Sequence, residues 1–440
     1  MSHALDAYGL KVTNAAPETV TALDKFGRDW IGYGPDLGVL FPAARAEPAC
    51  ALASAYAGLL HMSLEAAEGY RAAAPFLATA QSHAGHVTQR EQAIVDAALA
   101  WSRQDYPSSL KAFERATELA PPDIVAAKWG QYLAFNLGDA PAMLRLARNI
   151  MPQHRNTAEA WGMLAFAQEQ SHQLHLAEDS CREALALNPH DAWAQHALAH
   201  VYETHGRLDE GISFFEAAAP GWNDRSIFMR EHNYWHLALF HLDRDEPNAA
   251  LKIYDDHLWG SWPEFAQEQI GAISMLWRLE LRGVDTGERW QPVIKKVLER
   301  GREHIWPFHD LHYVFAIARS GSAAGAEEFL LSLKRKAASI GGAWSAVAAP
   351  AAAALVAYCQ GRYAESSDLL TGVVPSLHLI GGSHAQRDIF VQTWIDASLR
   401  ANNVSAVAHA LDERQRARPG VLVHKRDLER LKNARSHSTS

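Results

Sequence analysis

Cysteine is nearly absent from this chain. Three occur in 440 residues, Cys50, Cys181 and Cys359, far apart and odd in number. No CxxC pair and no even framework results, which excludes a cysteine zinc knot and a disulfide scaffold and makes a reducing cytoplasm the expected compartment. Strand-like runs of β-branched residues are scarce as well. Nucleophile-elbow, P-loop, Rossmann, HExxH and CxxCH motifs are missing, so ATPase, dinucleotide and c-type haem readings have no motif behind them. Positive charge is in deficit too: the net charge is -9, and no Lys/Arg cluster outside the C-terminal end is dense enough to offset it. That balance argues against a non-specific nucleic-acid binder. The opening residues, MSHALDAYGLKV, lack a basic stretch leading into an apolar one, so no secretory leader is expected. The uncharged stretch GGAWSAVAAPAAAALVAYCQG, 341–361, nears the length of a membrane span. It is dominated by alanine and interrupted by Pro350, so two closely packed soluble helices, and no membrane, are expected.

What the sequence does have is period. Apolar residues recur at three- and four-residue intervals throughout, an all-helical pattern. A 34-residue frame from Ala158 sets Trp161, Leu164, Ala165, Ala177, Ala184 and Pro189 at the places where a tetratricopeptide (TPR) hairpin carries its Trp, Leu, small residues and closing Pro. The next frame, from Ala192, gives Leu198, Ala199, Tyr202, Phe215 and Ala218. Phe113, Ala116 and Pro121 fit upstream, and Tyr234, Leu237, Ala238, Ala250 and Tyr254 fit downstream after a short insertion. Segments 302–340, 342–375 and 385–418 read as degenerate hairpins with Gly321 and Gly361 near the turns. A lone hairpin cannot bury its apolar face, so neighbours stack. The expected fold is all-α, a right-handed superhelix of TPR-like hairpins. Its expected parts are an N-terminal helical cap at 1–85, a repeat array at 86–425 and a polar, fraying tail at 426–440.

Histidine is the compositional outlier, with 23 residues. In TPR arrays the first helix of each hairpin faces the concave groove. In the frame from Ala192 the groove-facing places fall on Trp193, His196, His200 and Glu203. The last three stand at i, i+4 and i+7, within about 40° of one another around a helix. The following first helix carries His232 and His236 one turn apart. Stacked helices lie roughly 8–10 Å apart, close enough for four imidazoles to converge. Imidazole nitrogen and carboxylate oxygen are ligands for divalent first-row metals, here Zn, Mn or Fe. A third segment, FHDLHYVF, offers His309, Asp310 and His312 to the same space. The competing reading is a hydrogen-bonded polar lining with no ion. His205 is assigned to a helix C-terminus, and His241, His257, His304 and His378 to structural or surface roles.

Trp193, Trp235 and Trp306 either wall a pocket beside the imidazoles or, as is usual in such arrays, fill the core. In GGSHAQRDIF, 381–390, the paired glycines precede Ser383 and open a helix. Its free N–H groups with Arg387 would favour an anion; the alternative is capping by Ser383 with an Arg387–Asp388 surface pair.

The stretches NPHDAWAQHALAHVYE, HNYWHLALFHLDRDEPNAALKIYDDH, RWQPV, DLHYVFA and GGSHAQRDIF together resemble the tetratricopeptide repeat protein 38 family, along nearly the whole chain. The resemblance implies a TPR-like α-solenoid whose biochemical role is poorly defined. His196, His200, Glu203, His232, His236, Asp310, His312, Gln386, Arg387 and Asp388 fall on that family's pattern. The chain departs from it at Tyr202 and His384, where the family has His and Asn.

Two functions are expected to compete. In one, a His/Glu/Asp-lined concave pocket binds a small molecule or peptide, with an ion held by His196, His200, His232, His236 and His312. In the other, a metal-dependent hydrolase acts on a small anionic substrate: the ion lowers the pKa of a bound water, Glu203 or Asp310 serves as general base, and Arg387 orients the anion. Trp193, Gln386 and Asp388 would complete the ligand site. A haem held between two imidazoles is a weaker third option. Oligomerisation is compatible with all three.

Overall fold

A computed structural model describes residues 3–418 and 421–438. They form twenty-three α-helices and one antiparallel strand pair, His3–Leu5 with Lys11–Thr13, in the register His3 to Thr13. No described helix is long and apolar enough to cross a membrane. The chain divides into two compact units, one of residues 1–198 and 220–230, the other of 199–219 and 231–440.

In the N-terminal unit the helical hairpins keep strict spacing. Helices begin at Ile124, Ala158 and Ala192, 34 residues apart, and each of the first two is followed by an antiparallel partner, Ala140–Ile150 and Leu174–Leu187. Short polar residues set these starts. Asp123, Asp139 and Asp191 each accept a backbone N–H from the first turn, at 2.9 Å in all three cases, supplying a partner to donors that a helix leaves unpaired. Small residues let the hairpins close: Ala165, Ala177 and Ala184 are fully buried, and a Cβ on Gly130 would press 2.8 Å from a Leu146 methyl. Residues 1–85, expected as a cap, hold the strand pair and the hairpin of helices Ala51–Met62 and Ala67–His83.

One side chain in this unit is costly to bury. Lys128, on helix Ile124–Asn136, is 5% exposed. Its ammonium lies 4.0 Å from the Trp193 ring centre and 4.5 Å from that of Tyr33. Burial pulls its pKa down to about 7, against an upward pull from Asp191.

The C-terminal unit continues the hairpins as Pro307–Arg319 with Ala323–Ile340, then 344–359 with Tyr363–Val373, then His384–Arg400 with Val404–Ala417. Gly321 and Gly361 occupy left-handed turns between partners, at φ 82° and 75°, where a Cβ is unfavourable. The core is aromatic: Trp277 stacks on Phe315 with ring centres 3.6 Å apart, and the Phe390 edge meets Trp277 at 5.8 Å. Two details differ from expectation. The Ala-rich stretch is one continuous helix, in which a π-turn at Trp344–Ala348 runs directly into Ala349–Cys359 and Pro350 is accommodated at the junction of the two instead of breaking the helix. The tail also continues as helix Leu422–Ser438, since Arg430 pairs with Asp396 at 2.7 Å and Arg426 donates to the Leu281 carbonyl at 3.1 Å.

Candidate functional site

Two helices supply the imidazoles. Ala192–His205 carries His196, His200 and Glu203, while Ile227–Asp243 carries His232 and His236. Their helical spacing does what the sequence implies: His200 and Glu203 share a face, and His232 and His236 are one turn apart. In the C-terminal unit the His200 and His236 ring centres are 4.4 Å apart, and those of His232 and His236 are 4.9 Å apart, both edge-on. Glu203 Oε2 lies 3.5 Å from His236 Nδ1. Three imidazoles and a carboxylate therefore meet around His236.

Their surroundings decide their charge. Burial drives His200 far below the usual imidazole range, with the other rings adding to the effect. It does the same to His232, and it takes His236 to about 3 with a further push from Arg278. All three are neutral at physiological pH, the form in which imidazole offers a lone pair. Glu203 is pushed up to about 7 by burial, partly offset by Arg418. Arg418 in turn pairs with Asp243 at 2.8 Å.

Glu203, Asp243, Arg278, Arg282, Asp388 and Arg418 line a small polar cavity of about 10 Å³. That is about the space of one water-sized sphere. The cavity admits an ion or a water in this conformation and is too small for a drug-sized ligand. A much larger open depression, lined by Trp290, Ile294, Leu298 and Arg319, involves none of the histidines.

The remaining candidates are placed as follows. His196 lies in the N-terminal unit, a turn before His200, with its ring 4.5 Å from Trp193 and 5.3 Å from Phe166. Trp193 is half-buried and stacks on Tyr33 at 4.9 Å, whereas Trp235 and Trp306 are core residues at 3% and 2% exposure. His312 is seated among aromatics, its Nδ1 2.8 Å from the Phe308 carbonyl and its ring 4.5 Å from that of Phe308. Asp310 is engaged by His304, at 2.5 Å. Asp310, expected as a base or ligand, thus pairs with His304, which takes the structural one of its two expected roles because the turn before Pro307–Arg319 directs it inward.

The helix start at 383 is a capping box. Ser383 accepts from the Gln386 N–H and Gln386 returns a bond to the Ser383 N–H. Arg387, expected to orient an anion, instead donates to the carbonyls of Gly381 and Gly382. The reason is local: two consecutive left-handed glycines, at φ 79° and 76°, turn out carbonyls that no helix satisfies. Asp388 does not pair with Arg387 either. It is held by Arg414 at 2.5 Å, and although burial raises its pKa, the guanidinium outweighs this and keeps the carboxyl well below its usual range.

Sequence reasoning missed Arg278, 2% exposed, whose guanidinium donates to the Ala385 carbonyl at 2.7 Å. A signal existed: it is the one cation in the apolar run IGAISMLWRLEL, and a charge on a core face demands partners. Arg418 gives no comparable local cue.

No family model matches the chain. Among solved structures, the human IFIT1 dimer with m7Gppp-AAAA is similar over 97% of this chain and 96% of its own, at 12% identity and a TM-score of 0.44. The APC/C heterotetramer Cut9–Hcn1 is similar over 85% of this chain and 74% of its own, at 13% identity and a TM-score of 0.38. The MamA protein is similar over 39% of this chain and 90% of its own, at 18% identity and a TM-score of 0.30. At these values the likeness carries no argument about ligand or partner. The TPR-like assignment rests on the chain's own 34-residue hairpin spacing.

Proposed function

We propose that this TPR-like helical-repeat protein binds a divalent transition metal, Zn, Mn or Fe, through His200, His232 and His236 in its C-terminal unit, with Glu203 as the acidic partner. The observation that carries the reading is the meeting of three neutral imidazoles and a carboxylate around His236. Two imidazoles on one tetrahedral ion have ring centres roughly 5 Å apart, given metal–nitrogen bonds of about 2 Å. The 4.4 and 4.9 Å separations suit that spacing. Such a set would hold the ion without first losing protons, which favours binding at neutral pH.

A bound ion would act as a Lewis acid and lower the pKa of a coordinated water. The chain's own residues set what accompanies it. Glu203, with its pKa raised to about 7, is suited to hold or release a proton beside His236. Arg278, Arg282 and Arg418 share the cavity wall with Glu203, Asp243 and Asp388, so the lining is close to balanced in charge and offers both donors and acceptors to a small polar ligand once the cavity opens. The resemblance to the tetratricopeptide repeat protein 38 family supports the repeat reading, and we assign the chain to that family as part of the proposal.

Elemental analysis of untagged protein, followed by calorimetric titration of chelator-treated protein with Zn²⁺, tests the reading. One equivalent bound, with affinity cut at least 10-fold in both His200→Ala and His236→Ala, is expected. Zinc affinity unchanged in both variants would overturn it.

A further inference from the structure

Asp310 and His304 belong to a second cluster, and its third member is a serine. His304 lies in the segment between helices Trp290–Arg300 and Pro307–Arg319, with a left-handed backbone at φ 49°. Such a conformation is costly for a residue with a Cβ and marks a side chain aimed by its surroundings. Its Nδ1 is 2.5 Å from Asp310 Oδ2, and its Nε2 is 2.7 Å from Ser332 Oγ. Asp310 is 2% exposed and His304 7%, while Ser332, on helix Ala323–Ile340, is half-buried and reachable. Phe329 and Trp344 flank the imidazole edge-on, with ring centres at 5.3 and 6.4 Å.

The hydrogen bonds fix the tautomer. A carboxylate only accepts, so His304 Nδ1 carries the proton and Nε2 is left to accept the Ser332 hydroxyl. This is the ordering of nucleophile, base and orienting acid that activates a serine, a constellation recognised by geometry and not by chain order. Lys336, one turn beyond Ser332 on the same helix, has its ammonium 5.7 Å from the centre of the Trp344 ring that flanks His304.

We propose that Ser332, His304 and Asp310 form an acyl-transfer site for small activated esters, independent of the histidine cluster at His236. Ser332 Oγ bonds to the ester carbonyl carbon as its proton passes to His304 Nε2. The same proton then goes to the departing alkoxide as the ester C–O bond breaks. Water repeats the sequence on the acyl-serine, giving the acid and restoring the hydroxyl. Asp310 touches no substrate; it is a positioning residue that holds the ring and its tautomer.

The full chain is treated with a fluorophosphonate probe and with p-nitrophenyl acetate, with and without EDTA. The probe adduct is expected on the peptide carrying Ser332 and unchanged by EDTA. Ser332→Ala, which removes only a hydroxyl, abolishes it while leaving the thermal melt within a few degrees. His304→Gln slows labelling at least 100-fold, and Asp310→Asn slows it at least 10-fold with a shifted pH profile. Absence of adduct on Ser332 in folded wild-type protein overturns the proposal, whatever the variants do. So does labelling of Ser332 at an undiminished rate in folded His304→Gln, which would mark an ordinary surface hydroxyl. Chelation separates the two sites: loss of zinc binding leaves this labelling intact.

Discussion

Replacing Lys128 with Met should make the protein more stable at neutral pH. The lysine's pKa falls from 10.5 to about 7 on burial, and at about 1.4 kcal/mol per unit this corresponds to a folding cost of about 5 kcal/mol at low pH and about 4 kcal/mol at pH 7, where half of the folded amine is already neutral. The two ring faces, at 4.0 and 4.5 Å, return about 1 kcal/mol each. Methionine fills nearly the same volume without a charge, so Lys128→Met should gain about 2 kcal/mol. In a unit of about 200 residues that is a rise of roughly 4–8 °C in Tm.

The pH dependence is the sharper measurement. Between pH 7 and 10.5 the unfolded amine still holds its proton while the folded one has released it. The unfolded state therefore binds more protons, and wild-type stability rises with pH through that window. The advantage of Lys128→Met is full below pH 7 and shrinks towards pH 10. The buried tyrosines, present in both proteins, cancel in the difference. Paired melts from pH 6 to 9.5 should show the two curves converging. A variant less stable than wild type at pH 7, with a gap that does not change with pH, would refute the account of Lys128 as a desolvated cation.

Other substitutions test the C-terminal unit. Asp388→Asn leaves Arg414 without its 2.5 Å partner and should cost about 2 kcal/mol at pH 7 by urea denaturation. Because the Asp388 pKa is depressed on folding, its contribution is complete above about pH 4 and lost as pH falls further, so the deficit should shrink at pH 3. Gly211→Ala places a methyl against the Phe240 ring and should cost about 1–3 kcal/mol in the same assay, with Gly372→Ala, which meets nothing, as the control. Ser383→Ala removes the cap of helix His384–Arg400 and should cost about 1 kcal/mol, read as a lower urea midpoint with an unchanged slope.

The repeat was legible because hairpin packing writes itself locally. Helix starts at 124, 158 and 192, and sealed alanines at 165, 177 and 184, follow from a 34-residue period that one strand of sequence displays. That His200 and Glu203 share a helical face, and His232 and His236 likewise, was legible for the same reason: each pair lies on one helix. What local pattern cannot show is a partner brought in by the fold. Arg418 reaches Asp243 across 175 residues, and Arg278 reaches the Ala385 carbonyl across 107. Ser332 sits in LLSLKRKAA, which reads as an ordinary amphipathic helix; only the structure puts it against His304. The polar tail misled for a related reason. Its arginines look solvated in sequence, and their partners are carried by helices far upstream.

Burial gives the histidine cluster its meaning. Each neutral imidazole inside the fold has given up hydration, and Glu203, with a pKa near 7, shows how poorly its site supports a negative charge. Stability alone would favour apolar side chains of similar size at such positions. The proposed cation between His200, His232 and His236 would reverse that balance, drawing on the imidazole lone pairs and stabilising the Glu203 carboxylate. It would also stabilise the folded state by mass action, about 2.7 kcal/mol at a hundred times its dissociation constant. The polar cavity beside the cluster fits this account. Its acids and arginines hold each other in place around a space of about 10 Å³, so the wall is set while the volume admits little more than a water. On the proposed reading the cluster takes up an ion first, and a larger ligand would require the cavity to open.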